Sequence, residues 1–443
     1  MKELKISLMG MGYVGLTTGM AFSRHGFQTV VTDTVPERID MLAKGKPPFY
    51  EPGFDELVKD SVDKGLLRGS TDNYKAVMDT DVTFICVGTP SGADGSIDLR
   101  YIEGVSKDIG LALKDKDKYH VVVPKSTIVP TTTEKVILPI LEEYSGKKVG
   151  DDFGLCMNPE FLREGAAVHD ALNPDRIVIG QWDRRSGDVL IKVYEDFNCP
   201  KLRVSIRTAE MIKYTANSFL ATKISFSNEI ANLCEAYNID VYDVMKGVGL
   251  DFRISEHFLR AGAGFGGSCF PKDVKALVAA AKKAGVEQQV LNSVLAVNET
   301  QPLRLVALAE KIVGPLEGKK VALLGLAFKA DTDDIRETRA VPIVKALVEK
   351  GADVHVYDPQ AMDNFKRELD RPVAYATSAK VALDKADVCL LQTDWKVFKD
   401  LTADDYKNHM KTPIVIDGRR LYDDPQKLID AGVRYFGIGW KNE

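Results

Sequence analysis

The stretch Gly262-Ala-Gly264-Phe-Gly266-Gly267-Ser-Cys269-Phe-Pro-Lys272-Asp273 brings a thiol, a cation and a carboxylate together within one short loop. Its four glycines exclude a regular element and let backbone approach a ligand or let the loop move. Lys272 and Asp273 read as the start of a helix. Cys269 would then sit beside a helix N-terminus and a cation, surroundings that favour a thiolate nucleophile. The same residues also fit a flexible loop with a packed thiol. The other cysteines, Cys86, Cys156, Cys199, Cys234 and Cys389, lie in apolar strands, a helix or short connections.

Lys213 and Asn217 are four apart and share a helix face. Together they suit a developing oxyanion, and equally a solvated surface. Asn158-Pro-Glu160-Phe161-Leu162-Arg163-Glu164-Gly165 follows the apolar run Phe153–Met157. Glu160 there is a candidate general base, or one of two first-turn acids of a helix. Thr127, in Lys125-Ser126-Thr127, would position water or substrate, or cap a helix.

A second glycine pattern, Gly10-Met-Gly12-Tyr13-Val14-Gly15, follows an apolar strand and precedes a helical stretch, Leu16–His25. The first glycine permits the turn, the second lets a pyrophosphate approach, and the third lets helix and strand pack. Asp33 ends the next strand, where a carboxylate accepts hydrogen bonds from a ribose diol. These residues predict NAD binding, with Arg38 leaving some room for a 2′-phosphate. Cys86-Val87-Gly88-Thr89-Pro90 ends another strand, where ligands gather in such sheets. Lys329, Arg336 and the pair Arg419-Arg420 follow later strands and suit a diphosphate, or are ordinary surface charge. Lys319–Lys329 lacks the three-glycine spacing, so no second dinucleotide is expected there.

The elements that hold these residues read as α/β. Strands are expected at Lys5–Met9, Thr29–Thr32, Val82–Val87, Val121–Pro124 and Ile177–Gly180, then at Lys320–Leu324, Asp353–Tyr357, Val388–Leu391 and Ile414–Ile416. Between the two groups, Thr208–Asn238 contains no Gly or Pro and reads as one helix of about 45 Å at 1.5 Å per residue. Thr208 would cap it, with Glu210 in its first turn. The layout is two doubly wound parallel-sheet domains of Rossmann type joined by a helical central region: residues 1–202, 203–300 and 301–443.

The chain has 443 residues, a net charge of −5 and 45% hydrophobic residues. That balance points to neither a nucleic acid nor a membrane partner. The scattered cysteines and histidines predict no disulfide framework and no metal. A cytoplasmic protein is expected.

The motifs NPEFLREG, KYTAN, GFGGSCFPKD and GLAFKADTDDIRETRA, in this order, resemble the UDP-glucose/GDP-mannose dehydrogenase family over essentially the whole chain. The resemblance is nearest to the branch that oxidises UDP-glucose. It implies a four-electron oxidation of the sugar C6 alcohol to UDP-glucuronate with two NAD, through a thiohemiacetal and then a thioester on Cys269. By the same resemblance, Lys213 and Asn217 stabilise the oxyanion, with Lys213 also serving as base, Asp273 acts through a water, and Glu160 with Thr127 serves thioester hydrolysis. NAD contacts are implied for Gly10, Gly12, Tyr13, Val14, Gly15, Asp33, Arg38, Val87, Thr89, Thr127, Glu164, Lys272 and Arg336. Nucleotide-sugar contacts are implied for Glu160, Phe161, Leu162, Arg163, Lys213, Asn217, Phe258, Leu259, Arg260, Ala261, Gly262, Gly266, Lys329 and either Arg419 or Arg420. Arg253 matches an arginine that reaches substrate across a dimer interface, so a homodimer through the central domain is implied. Alternatives are the same chemistry on GDP-mannose or another nucleotide sugar, a single oxidation of a 3-hydroxy acid, and a non-catalytic nucleotide-sugar sensor.

Overall fold

The computed structural model describes residues 2–441. The chain divides into two compact units, one ending at Ala216 and one beginning at Asn217. The boundary falls inside the long helix, Ile206–Ala236.

The first unit is built on an eight-stranded sheet: β1 (Lys5–Met9), β2 (Gln28–Thr32), β3 (Leu67–Ser70), β4 (Val82–Ile85), β5 (Val121–Pro124), β6 (Gly154–Met157), β7 (Ile177–Gln181) and β8 (Lys201–Ser205). Their order is β3-β2-β1-β4-β5-β6-β7-β8. Strands β4, β5 and β6 are buried at every position, as strands covered on both faces must be. Ile6, Leu8, Val31 and Phe84 pack on one face with Leu16 and Phe22. Met9, Val30, Ile85 and Val122 pack on the other with Ile109 and Leu141. The order reverses between β1 and β4, which opens a crevice at their C-terminal ends.

Strand β7 pairs antiparallel to β6, so the sheet is not wholly parallel. The helix between them, Ala167–Leu172, has six residues.

The second unit holds helices Val241–Gly249, Phe270–Lys283 and Gln289–Val313 and a six-stranded sheet. The strands are β9 (Lys320–Leu324), β10 (Asp353–Tyr357), β11 (Ala374–Tyr375), β12 (Val388–Leu391), β13 (Ile414–Asp417) and β14 (Arg434–Gly437). They run parallel in the order β11-β10-β9-β12-β13-β14. Strand β14 was not among the expected strands, and β13 runs one residue further than expected, to Asp417.

The long helix starts two residues earlier than expected. Ser205, not Thr208, accepts from a first-turn amide, taking the Thr208 N–H at 3.2 Å. The other end also falls two residues short of Asn238, which adopts a left-handed conformation at φ 55°. An asparagine tolerates that region better than most residues and closes the helix where no glycine is available. Among the described residues no helix is long and apolar enough to cross a membrane.

Candidate active site

The first unit gathers its chemistry at the C-terminal ends of β1, β4, β5 and β6. Three glycines make the turn after β1, each for a different reason. Gly10 has φ 111°, and a Cβ on it would stand 2.8 Å from the Cys86 carbonyl oxygen. A Cβ on Gly15 would collide with the Gly10 carbonyl. A Cβ on Gly12 would meet nothing within 4 Å. Gly12 is also the N-cap of the helix Tyr13–Arg24, and its position brings that helix N-terminus up to the open space. That is the cradle a pyrophosphate needs. The helix begins at Tyr13, not Leu16. Val14 is half-buried, and Tyr13 packs against Phe49 with ring centres 4.1 Å apart and tilted by 31°, and donates its hydroxyl to the Tyr50 carbonyl at 3.0 Å.

Asp33, just past β2, accepts from Met11 N at 3.2 Å and from Val35 N at 3.0 Å. Arg38 pairs with it at 3.2 Å. The arginine that left room for a 2′-phosphate is thus engaged by the very carboxylate that disfavours one. An open glycine turn and a carboxylate at the next strand end fit NAD.

The loops after β4 and β5 are stitched together. Thr89 Oγ1 donates to the Thr127 carbonyl at 3.1 Å, and Ser126 Oγ to the Val87 carbonyl at 2.6 Å. From the long helix, Glu210 accepts from Thr131 N, Thr133 N and Thr133 Oγ1 at 2.6–2.9 Å. It caps another segment instead of serving its own helix.

Glu160 and Glu164 lie in irregular chain before Ala167, where the helix actually starts, so neither is a first-turn acid. Glu51 caps that helix from afar, accepting from Gly165 N at 2.8 Å and Ala167 N at 2.7 Å. Glu160 is buried and pairs with Lys213 at 2.8 Å. Burial pushes its carboxyl up, but the Lys213 charge and hydrogen bond outweigh this and hold it below its ordinary value. Its other oxygen accepts from Leu162 N at 2.6 Å. Phe161 lies beneath two cations, Arg176 at 3.8 Å and Lys213 at 5.5 Å from the ring centre. Arg163 is exposed and tied to Asp170 at 2.6 Å.

In the second unit, Cys269 is the N-cap of the helix Phe270–Lys283, with Pro271 and Asp273 in the first turn. The thiol is partly exposed, whereas Cys86, Cys156, Cys234 and Cys389 are buried. Burial pushes the thiols of Cys86 and Cys156 up to about 12. Asp273 is fully buried. It accepts from Asn217 Nδ2 at 2.6 Å and pairs with Lys272 at 2.6 Å. Neither Lys213 nor Asn217 belongs to a solvated face; both are buried.

The loop glycines serve packing as well as access. A Cβ on Gly262 would lie 2.5 Å from the Gly418 carbonyl, one on Gly267 2.7 Å from the Phe328 ring, and one on Gly266 would strike the Glu337 carbonyl. Two buried asparagines clamp the same loop. Asn228 accepts from Gly262 N at 2.7 Å, and Asn298 accepts from Phe265 N at 2.7 Å while donating to its carbonyl at 3.0 Å. Sequence reasoning passed over both. Their one signal was a polar residue on the buried side of an amphipathic helix.

Of the implied sugar contacts, Leu259 and Ala261 are buried, Arg260 is exposed, and Phe258 takes a left-handed φ of 66°. Arg253 is exposed and pairs with Asp251. Lys329 is half-buried, with its ammonium 5.6 Å from the Phe328 ring centre. Arg336 is held by Asp334 at 2.6 Å, and its carbonyl accepts Gly267 N at 2.9 Å. The two arginines after β13 part company. Arg420 is bound through both terminal nitrogens to Asp240 at 2.8 and 2.9 Å. Arg419 reaches the glycine loop, donating to the Gly264 carbonyl at 2.7 Å and the Gln392 carbonyl at 2.6 Å. Of the two, Arg419 lies at the loop that carries the thiol.

The second sheet repeats the strand–turn pattern of the first but closes it. Asp358, past β10, accepts from Leu326 N, Ala327 N and Trp395 Nε1 at 2.8–3.0 Å. The turn amides that would meet a pyrophosphate are bound to the protein's own carboxylate.

Comparison with known proteins agrees with this division. Family profiles match residues 4–198 (UDP-glucose/GDP-mannose dehydrogenase family, NAD binding domain), 207–300 (central domain) and 322–424 (UDP binding domain). The chain is 45% identical over 423 residues to a UDP-glucose 6-dehydrogenase of Haloferax volcanii, covering 94% of this chain and 97% of that protein. It is 44% identical over 357 residues to a GDP-mannose 6-dehydrogenase of Pseudomonas syringae pv. syringae, covering 80% and 81%. A solved UDP-glucose dehydrogenase from the hyperthermophilic archaeon Pyrobaculum islandicum superposes with a TM-score of 0.92 at 40% identity, covering 99% of this chain and 98% of that one. A dinucleotide turn with room at its second glycine, a thiol at a helix N-cap and matches along nearly the whole length place this chain in the UDP-glucose/GDP-mannose dehydrogenase family.

Proposed function

We propose that the protein oxidises the C6 alcohol of UDP-glucose to the carboxylate of UDP-glucuronate with NAD. The observation that carries this reading is Cys269 at the N-cap of Phe270–Lys283, partly exposed, with Lys272 and Asp273 in the turn that follows. UDP-glucose is favoured over GDP-mannose because, among matches of nearly full length, those named for it are more alike in sequence (45% against 38% identity) and in fold (TM-score 0.92 against 0.57).

The turn Gly10–Gly15, with Asp33, would hold NAD, which when bound supplies the hydride acceptor for both oxidations. Lys213 and Asn217 stabilise negative charge on the C6 oxygen. Once C6 is an aldehyde, the Cys269 sulfur bonds to it. Covalent capture prevents loss of an intermediate that would otherwise hydrate or diffuse away. After the second oxidation, Glu160 takes a proton from the water that releases the acid, with Thr127 orienting that water and Asp273 acting through a second one. Phe258–Gly262, Gly266, Lys329 and Arg419 bind the nucleotide sugar.

A homodimer in the cytoplasm completes the reading. Phe219, Phe226 and Leu233 are exposed on the long helix at intervals of seven residues. Such a stripe suits a partner helix, with Arg253 reaching the neighbouring subunit. Light scattering should return twice the chain mass.

The test is NADH yield. UDP-glucose should give two NADH per sugar, and GDP-mannose and UDP-N-acetylmannosamine little. One NADH per sugar points to a single oxidation, and none with tight binding to a sensor.

A further inference from the structure

Three buried side chains that meet beyond β5 and β6 have no part in the roles above: Lys125 after β5, Asn158 after β6, and Tyr194 from the end of the helix Arg184–Val193. The Lys125 ammonium donates to Asn158 Oδ1 at 2.9 Å and lies 3.5 Å from the Tyr194 hydroxyl. That hydroxyl donates to the same Asn158 oxygen at 2.5 Å. Asn158 Nδ2 donates to the Val178 carbonyl at 2.8 Å, and its backbone N–H to the Pro124 carbonyl at 2.9 Å. One residue, Pro159, separates this anchored amide from Glu160. The turn that aims Glu160 is therefore hung on Lys125.

A neutral donor would hold that turn at lower cost than an ammonium shut away from water. The charge needs its own account. The titratable groups that act on Lys125 are Cys86 at the end of β4, Glu160 in the turn after β6, and Lys213 on the long helix. Burial pushes the Lys125 ammonium down most, the Glu160 charge acts against it, the Lys213 charge adds a little to it, and it comes to rest at about 8. Glu160 in turn feels both lysines.

We propose that Lys125 is a positioning residue for thioester hydrolysis, holding the Asn158–Glu160 turn and setting, by its own charge, how strong a base Glu160 is. This rests on Glu160 being the hydrolytic base. In that step the water oxygen bonds to the acyl carbon, the carbon–sulfur bond breaks, Cys269 leaves as thiolate, and the water proton passes to Glu160. With Lys125 charged, Glu160 lies under two cations and binds a proton weakly. With Lys125 neutral, one cation remains and Glu160 takes the proton more readily. Hydrolysis therefore quickens as pH rises through the Lys125 titration.

The experiment mixes the full-length protein with UDP-glucose and NAD, quenches with acid, and follows decay of the Cys269 acyl adduct by mass spectrometry. The decay rate of the wild-type protein should rise roughly three- to tenfold from about one pH unit below to one above the Lys125 midpoint, then level off. In Lys125→Met the adduct should form as before and decay at a rate independent of pH in that range. A purely structural role would lower the rate equally at every pH and keep the shape. Lys125→Met with the wild-type rise overturns the proposal. So does a flat wild-type profile, which decides the matter even if the variant fails to fold. Absence of any wild-type adduct would instead remove the proposed function itself.

Discussion

Asn217 donates its side-chain amide to Asp273 at 2.6 Å, joining the long helix to the first turn of the helix that Cys269 caps. The thiol thus sits on a turn fixed by a buried carboxylate. Asp273→Ala would strand Lys272 and leave the Asn217 amide unmet. Hydrogen bonds to charged groups contribute about 1.5–3 kcal/mol each, so denaturant unfolding should show a loss of that order or more. In a double-mutant cycle with Asn217→Ala, the two losses should fail to add. Additive losses would mean that the pair is not coupled.

The three glycines after β1 should separate in their effects. Gly10→Ala and Gly15→Ala force Cβ atoms against backbone, and overpacking of this kind costs about 1–3 kcal/mol, visible as a lower melting temperature. Gly12→Ala meets no neighbour. It should leave the melting temperature unchanged and weaken NAD binding about tenfold or more in a fluorescence titration, since the methyl intrudes where the backbone must approach pyrophosphate.

Cys269→Ser should lower steady-state NADH production by about a thousandfold, because the hydroxyl is a much poorer nucleophile near neutral pH. Its NAD affinity should stay within about twofold of wild type, since the cofactor turn is untouched. Normal turnover in this variant would reject the nucleophile.

Asp33 should govern cofactor choice. Replacing it with Ser removes the ribose acceptor and releases Arg38. We expect kcat/KM for NAD to fall by roughly 10- to 100-fold and the ratio of NADP to NAD use to rise. An unchanged ratio would show that the carboxylate does not read the ribose.

The Glu160–Lys213 pair gives a pH signature. Glu160 titrates below its ordinary value of 4.5 in the folded state. Its contribution to stability is therefore present above the ordinary carboxyl range and lost as pH falls through the folded value. Glu160→Gln strands a buried ammonium and should cost about 3–5 kcal/mol at neutral pH. The gap between the melting curves of wild type and variant should close in acid, and a constant gap would contradict the pairing.

Much of the frame was legible because buried parallel strands are short apolar runs between glycines. Lys5–Met9, Val121–Pro124 and Lys320–Leu324 were read to the residue. Leu67–Ser70 and Lys201–Ser205 escaped because edge strands carry polar residues and lose the run. Cys269 at a helix start was legible from the local order of proline, lysine and aspartate. The Glu160–Lys213 pair was not, since its members are far apart in sequence and meet only in the folded chain. Lys125 was given no role from the sequence. Only the fold shows that it is enclosed.

The closed turn at Asp358 leaves one open dinucleotide seat among the described residues. On the proposed function two successive hydride removals would share it, so spent coenzyme would have to vacate and a fresh molecule arrive midway through each catalytic cycle. A substrate fastened to sulfur can wait out that exchange; a loosely held one would be lost at the changeover.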